Sequence, residues 1–180
     1  MNRAVVTCVL LALVACGQLA RAQARDDLES KIKAAFLFNF LKFVEWPEGS
    51  APVGAAPYVL CVVDSADFTA VLEQTVRDKR VDDHPVSVRG VSRGQPTADC
   101  HVVYLARAAR DQGEEVLRDS GGALTVHEAS AATPSGVIRF FVSDNHVRFE
   151  INVAAAESRR LYLHSSLLGV AERVRVGPPS

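Results

Sequence analysis

Apolar positions along this chain recur at two different periods, and the change of period divides it. From Lys33 to Pro47 (KAAFLFNFLKFVEWP) the spacing is helical: Ile32, Phe36, Phe40 and Phe43 share one face, widened by Leu37, Leu41 and Val44. Lys31, Asn39, Lys42 and Glu45 leave only a narrow polar stripe, which Phe38 flanks. So wide an apolar arc marks a helix buried over most of its circumference, or one that also meets a partner. Phe36, Phe40 and Phe43 are expected in the core. The helix is expected to stop at Trp46-Pro47, because the residue before proline avoids helical angles.

Beyond a Pro/Gly/Ala linker at 47–57, Tyr58 to Val63 (YVLCVV) is a short unbroken apolar run, the pattern of a strand buried on both faces. Asp64 to Arg80 returns to helical spacing at Phe68, Val71, Leu72 and Val76. Strand patterns follow at Pro85 to Val91, Cys100 to Ala106 and Ala123 to Val126, with an amphipathic helix over Ala108 to Asp119. Strands alternating with helices predict βα units and a mostly parallel sheet. Gly136 to Val142 and His146 to Ile151 differ, since only the turn residues Ser143-Asp144-Asn145 separate them. In the second of these strands Val147, Phe149 and Ile151 alternate with Arg148 and Glu150, as in an antiparallel strand with one wet face. Asn152 is placed to cap an Ala-rich helix, which Arg159 to Leu163 interrupts, and Ser165 or Ser166 to cap a last one. The predicted fold is α/β and three-layer: a mostly parallel sheet, helices on both faces, and a C-terminal antiparallel hairpin.

The first residues stand apart from that domain. Arg3 precedes an apolar stretch of twelve, Ala4 to Ala15, which is too short to span a bilayer and suits a secretory signal. Ala22-Gln23-Ala24 offers a cleavage site, giving a leader of 1–24 and a single domain of 25–180. Leu13-Val14-Ala15-Cys16 offers the alternative, a lipoprotein leader of 1–15 with Cys16 lipidated. Either product is expected in the periplasm, soluble or anchored through Cys16. Loss of 1–24 removes Arg3 and Arg21 and no acid, so the formal charge moves from −1 to −3. That balance disfavours nucleic acid and anionic lipid as partners. Cys61 and Cys100 remain as the only pair in the domain, which in an oxidising compartment points to a disulfide, with two buried thiols as the alternative.

Candidate chemistry is sparse. His84, His101, His127, His146 and His164 have no metal-ligand spacing, and no phosphate-cradling or nucleophile motif occurs. Cys100 and His101 are neighbours on a strand, so they point to opposite faces and do not form a nucleophile–base pair. No catalytic residue, metal or cofactor is therefore assigned. Five of the fifteen residues in Lys33 to Pro47 are aromatic, against 7% in the whole chain, which concentrates anchoring capacity there. Phe38, Lys42, Glu45 and Trp46, at the polar edge or end of that segment, are the candidate partner surface. Trp46 alternatively caps the core. Arg148 and Glu150 are expected on a second, wet surface, available to a partner or to each other.

KAAFLFNFLKFVEWP resembles the opening helix of the YfiR/HmsC-like family, with Phe38 where tyrosine is usual. CVVDSADF, ADCHVVYL, ALTVHE, GVIRFFV, HVRFEIN and HSSLLGVA follow in the family's order, so the resemblance spans roughly 30–174. The two cysteines fall where that family carries a disulfide pair. The resemblance implies a periplasmic protein that binds the sensor region of an inner-membrane diguanylate cyclase and inhibits it, lowering cyclic-di-GMP signalling and biofilm formation. An outer-membrane lipoprotein and a second copy of the chain are further partners to consider. Rival readings are a periplasmic solute-binding module, with ligand at the carboxyl ends of the parallel strands, and a lipid-anchored envelope scaffold.

Overall fold

The computed structural model describes residues 23–92, 94–106, 113–129 and 136–177. Cys16 and nearly all of the leader lie outside the described residues. Helix α1 spans 23–40. Its first turns carry Asp26, Asp27 and Glu29, acids that suit a helix N-terminus.

The predicted helix over Lys33 to Pro47 is too long. After Phe40 the chain turns, with Lys42 N–H donating to Asn39 O and Phe43 N–H to Phe40 O, both at 3.0 Å. Val44–Glu45 then form strand β1. They pair antiparallel with β9, Tyr162–Leu163. A partner more than a hundred residues away thus takes over the backbone of residues whose local spacing is helical.

The remaining elements are β2 (Tyr58–Val63), α2 (Ala66–Val76), β3 (Arg80–Val81), β4 (His84–Val91), β5 (Val102–Leu105), α3 (Gly113–Asp119), β6 (Leu124–Glu128), β7 (Ile138–Ser143), β8 (His146–Asn152), α4 (Val153–Ser158), α5 (Ser165–Val170) and β10 (Arg173–Arg175). Eight strands form one sheet in the order β10-β8-β7-β6-β5-β2-β4-β3. Neighbours β4, β2, β5, β6 and β7 run parallel, and β7–β8 is the antiparallel hairpin. Its turn residues Asp144 and Asn145 have φ of 50° and 62°, the doubly positive pair that two-residue hairpins favour. Asn152 caps α4, its Oδ1 accepting from Ala155 N–H at 3.1 Å. Neither serine caps α5; His164 holds that position without a side-chain hydrogen bond.

Period-2 alternation gives the sheet two unlike faces. Leu60, Val62, Tyr104, Phe140, Phe149 and Ile151 form one core with apolar residues of α1, α2, α4 and α5. Cys61, Val63, Val103 and Leu105 form a smaller one, against which Val116 of α3 packs. The three layers are therefore uneven. Phe40 is 1% exposed, stacks on Phe140 and meets Phe149 edge to face, whereas Phe36 and Phe43 are only half-buried.

Candidate partner-binding surface

Cys61 on β2 and Cys100, just before β5, are joined in a disulfide. The two strands are adjacent, so the bond ties neighbours at the centre of the sheet. The Arg89 guanidinium lies over it, with Nη2 at 3.1 Å from Cys100 Sγ and 3.4 Å from Cys61 Sγ, and is held by Asp99 at 2.5 Å.

The end of the aromatic segment is built around His101. Its Nδ1 accepts from Val59 N–H at 3.0 Å, and its carbonyl accepts from Trp46 Nε1 at 3.2 Å. Trp46 also lies beside Tyr58, with ring centroids 5.3 Å apart. Trp46 is thus half-buried and mainly caps the strand ends. Burial lowers the pKa of His101, which keeps Nδ1 free to accept.

The surface assigned from the pattern divides. Lys42 and Glu45 are exposed, and Glu45 meets His164 Nε2 at 2.9 Å. Tyr162, opposite Glu45 in the β1–β9 pair, is 65% exposed. Phe38 is a correction: it is only 7% exposed and belongs to the core. Lys42 and Lys79 place their ammonium groups 4.6 and 4.8 Å from its ring centroid. The chain's own cations cover this ring, in the geometry of cation–π contacts.

Arg148 and Glu150 are a second correction. They share a face but not an ion pair, and Glu150 is not on a wet surface. Glu150 is 3% exposed. Its carboxylate accepts from Arg139 Nε and Nη2 at 2.8 Å each and lies 2.9 Å from Arg175 Nη2. Arg148 pairs instead with Glu172 at 2.5 Å. Alternation gives the side on which a residue points, but β10 and its arginine were not legible as the cover.

The periodicity also passes over a buried network. Lys33 Nζ, in α1, donates to Glu128 Oε1 and Oε2 at 2.7 and 2.8 Å and to Glu29 Oε1 at 2.5 Å. Tyr104 OH donates to Glu128 Oε1. The only signal was a lysine one turn from Leu37, on the apolar side. These groups line a cavity of about 270 Å³ with Asp26, Ser30 and Ser65, at the carboxyl ends of β2, β5 and β6. Among the described residues no group of three His, Cys, Asp or Glu side chains could hold a metal ion, and no helix is long and apolar enough to cross a membrane.

A family model described as YfiR/HmsC-like matches residues 30–172, from within α1 to the residue before β10. No curated protein matches the chain.

Proposed function

We infer the function from one premise: the chain belongs to the YfiR/HmsC-like family. Membership supports a regulatory role in the periplasm in general terms. The finer reading is that the protein, as an exported domain of 25–180, binds the periplasmic sensor region of a membrane-bound diguanylate cyclase and holds it inactive. The observation that carries this reading is the family match over 30–172. The Cys61–Cys100 disulfide agrees with an oxidising compartment. To inhibit, the protein must bind the inactive cyclase more tightly than the active one; each tenfold of preference shifts that equilibrium by about 1.4 kcal/mol.

The contact surface in this reading is the exposed strip of Lys42, Glu45 and Tyr162, with Trp46 fixing its geometry from behind. Tyrosine is a residue type enriched at interface hot spots. Co-purification of the chain with the periplasmic region of a cyclase encoded beside it tests the reading. A complex abolished by Tyr162→Ala, with the melting temperature unchanged, supports the strip. Absence of any complex with the wild-type chain refutes the inhibitor reading. The intact mass of the exported protein separates cleavage after Ala24 from lipidation at Cys16.

One observation favours solute binding as a second reading. The Lys33–Glu128 cavity lies at the carboxyl ends of neighbouring parallel strands, where open α/β sheets take ligands. Asp26, Glu29 and Glu128 outnumber Lys33 there, so small organic amines are the probes to use. A saturable rise in melting temperature with such amines would favour this reading.

A further inference from the structure

The short last strand carries a charge pattern that lies outside the family match, which stops at residue 172. β10 ends the sheet: it pairs with β8 on one side, and all three of its residues are exposed. Arg173 stands opposite Glu150 and Arg175 opposite Asn152, so both arginines share the face of Glu150. On that face β7 and β8 add Arg139, Phe141 and Arg148. The helices α1, α2, α4 and α5 all pack on the other side. Among the described residues two carboxylates, Glu150 and Glu172, answer these four arginines. Two positive charges are left over, in a chain whose formal net charge is −1. The Arg173 side chain makes no hydrogen bond or close ion pair among the described residues, its charge reaching Glu150 only at longer range, and the buried Nε of Arg148 has no acceptor there.

We propose that β10 receives an extended acidic segment of a partner protein as an additional strand. Among the described residues no strand pairs with the outer edge of β10, which leaves it the backbone groups that strand addition uses. Arg173 and Arg175 are two residues apart on one strand, about 7 Å along it. An extended segment with acids at alternate positions repeats its carboxylates at the same period, and each can form a charge-assisted bond to a guanidinium. One small anion cannot span that separation, nor the roughly 10 Å across the sheet from β10 over β8 to β7. A second copy of the chain would set arginine against arginine at this edge, and like charges facing each other across strands oppose pairing. The same arginines therefore guard the edge against self-association while selecting an acidic strand. This inference does not require that the partner be a cyclase.

The test is fluorescence anisotropy of the purified chain with a labelled peptide of alternating Glu and Thr. The comparisons are its Lys–Thr counterpart, an alternating Glu–Pro peptide and heparin. The Glu–Thr peptide is expected to bind saturably, more weakly at high salt, and the Lys–Thr peptide not to bind. Arg173→Gln, which removes the charge without setting a second carboxylate against Glu150, should weaken binding about tenfold with the melting temperature close to that of the wild type, because Arg139 and Arg175 still hold Glu150. Arg173→Lys should retain most of the affinity. The Glu–Pro peptide, in which proline removes every second N–H and holds φ at about −65°, away from strand values, should bind far more weakly than Glu–Thr. Absence of saturable Glu–Thr binding overturns the proposal, as does affinity unchanged in Arg173→Gln. Equal binding of Glu–Pro overturns strand addition. Heparin binding that is tighter than the peptide and equally dependent on Arg173 makes the face a general polyanion surface and overturns the assignment to protein.

Discussion

Arg139 donates from Nε and Nη2 to the two oxygens of Glu150, 2.8 Å each, across the β7–β8 register that sets the two residues opposite each other. Two-pronged guanidinium–carboxylate bonds are among the strongest polar contacts a protein makes, and this one involves a carboxylate with almost no exposure. Burial opposes ionisation of Glu150. The hydrogen bonds and charge of Arg139, with Arg175 and Arg173 behind it, outweigh that and hold its carboxyl below the usual range.

Removing the arginine leaves that carboxylate buried with half of its partners. Arg139→Met should therefore destabilise the fold by about 3 kcal/mol, the scale for breaking a buried pair. A depressed carboxyl contributes stability that is present above its unfolded pKa, near 4.5, and is lost as pH falls through the folded value. Thermal melts from neutral pH down to about pH 3 should show a steeper acid loss in the wild type than in Glu150→Gln. Equal acid slopes would show that Glu150 is not ionised in the fold.

Phe40 and Phe38 differ in what surrounds them rather than in burial. Phe40→Ala should cost about 3–5 kcal/mol, because the ring packs among Phe36, Phe140 and Phe149. Phe38→Ala should also melt early, and so cannot serve as a clean interface probe. Phe38→Leu keeps the apolar volume and removes the ring from between Lys42 and Lys79. It should cost about 1 kcal/mol, the scale of an exposed cation–π contact. Chemical denaturation of the three variants measures this ordering.

The parts legible in the sequence were those fixed by neighbours within one element. YVLCVV is an unbroken apolar run because β2 is covered on both faces by the two cores. The turn at Asp144-Asn145 and the cap at Asn152 were legible because each uses a side chain or backbone angle with few substitutes. What escaped depends on contacts between distant segments. β1 is a strand because Tyr162–Leu163 lie beside it, and its own spacing looks helical. Lys33 stands on an apolar face because Glu128 and Tyr104 wait inside. Tyr162 could have been found: in Leu161-Tyr162-Leu163 the two leucines are buried and the tyrosine between them is exposed, the alternation of a strand.

His101 gives the fold a dependence on mildly acidic pH. Its Nδ1 must be unprotonated to accept from Val59 N–H, and burial lowers its pKa below 6.5. The contribution is complete above the unfolded value near 6.5 and declines as pH falls from there towards the folded value. His127, also buried with a lowered pKa, acts in the same direction. Melting temperature should therefore fall between about pH 7 and pH 5, where ordinary carboxylates have yet to titrate fully. His101→Asn, whose Oδ1 takes the place of Nδ1, should flatten only part of that slope, since His127 remains. A wild-type melting temperature constant across this interval would contradict the assignment.

The disulfide is the most testable link between stability and regulation. It joins residues separated by 39 positions, and closing a loop of that size lowers the entropy of the unfolded chain by an amount worth about 4 kcal/mol. Cys61→Ser with Cys100→Ser should lower stability on that scale. The loss should appear as a denaturant midpoint shifted at nearly constant slope if the native state keeps its shape. Arg89 adds a second readout, because its guanidinium lies 3.1 Å from Cys100 Sγ and would stabilise a thiolate there once the bond opens. Arg89→Met should therefore slow cleavage by a small thiol, provided the melting temperature of the oxidised protein does not fall. If the protein is a cyclase inhibitor, reduction should also release its target, and inhibition undiminished in the double serine variant would separate the disulfide from regulation. Thiol cleavage as fast in Arg89→Met as in the wild type would show that the cation beside the sulfurs does not assist their exchange.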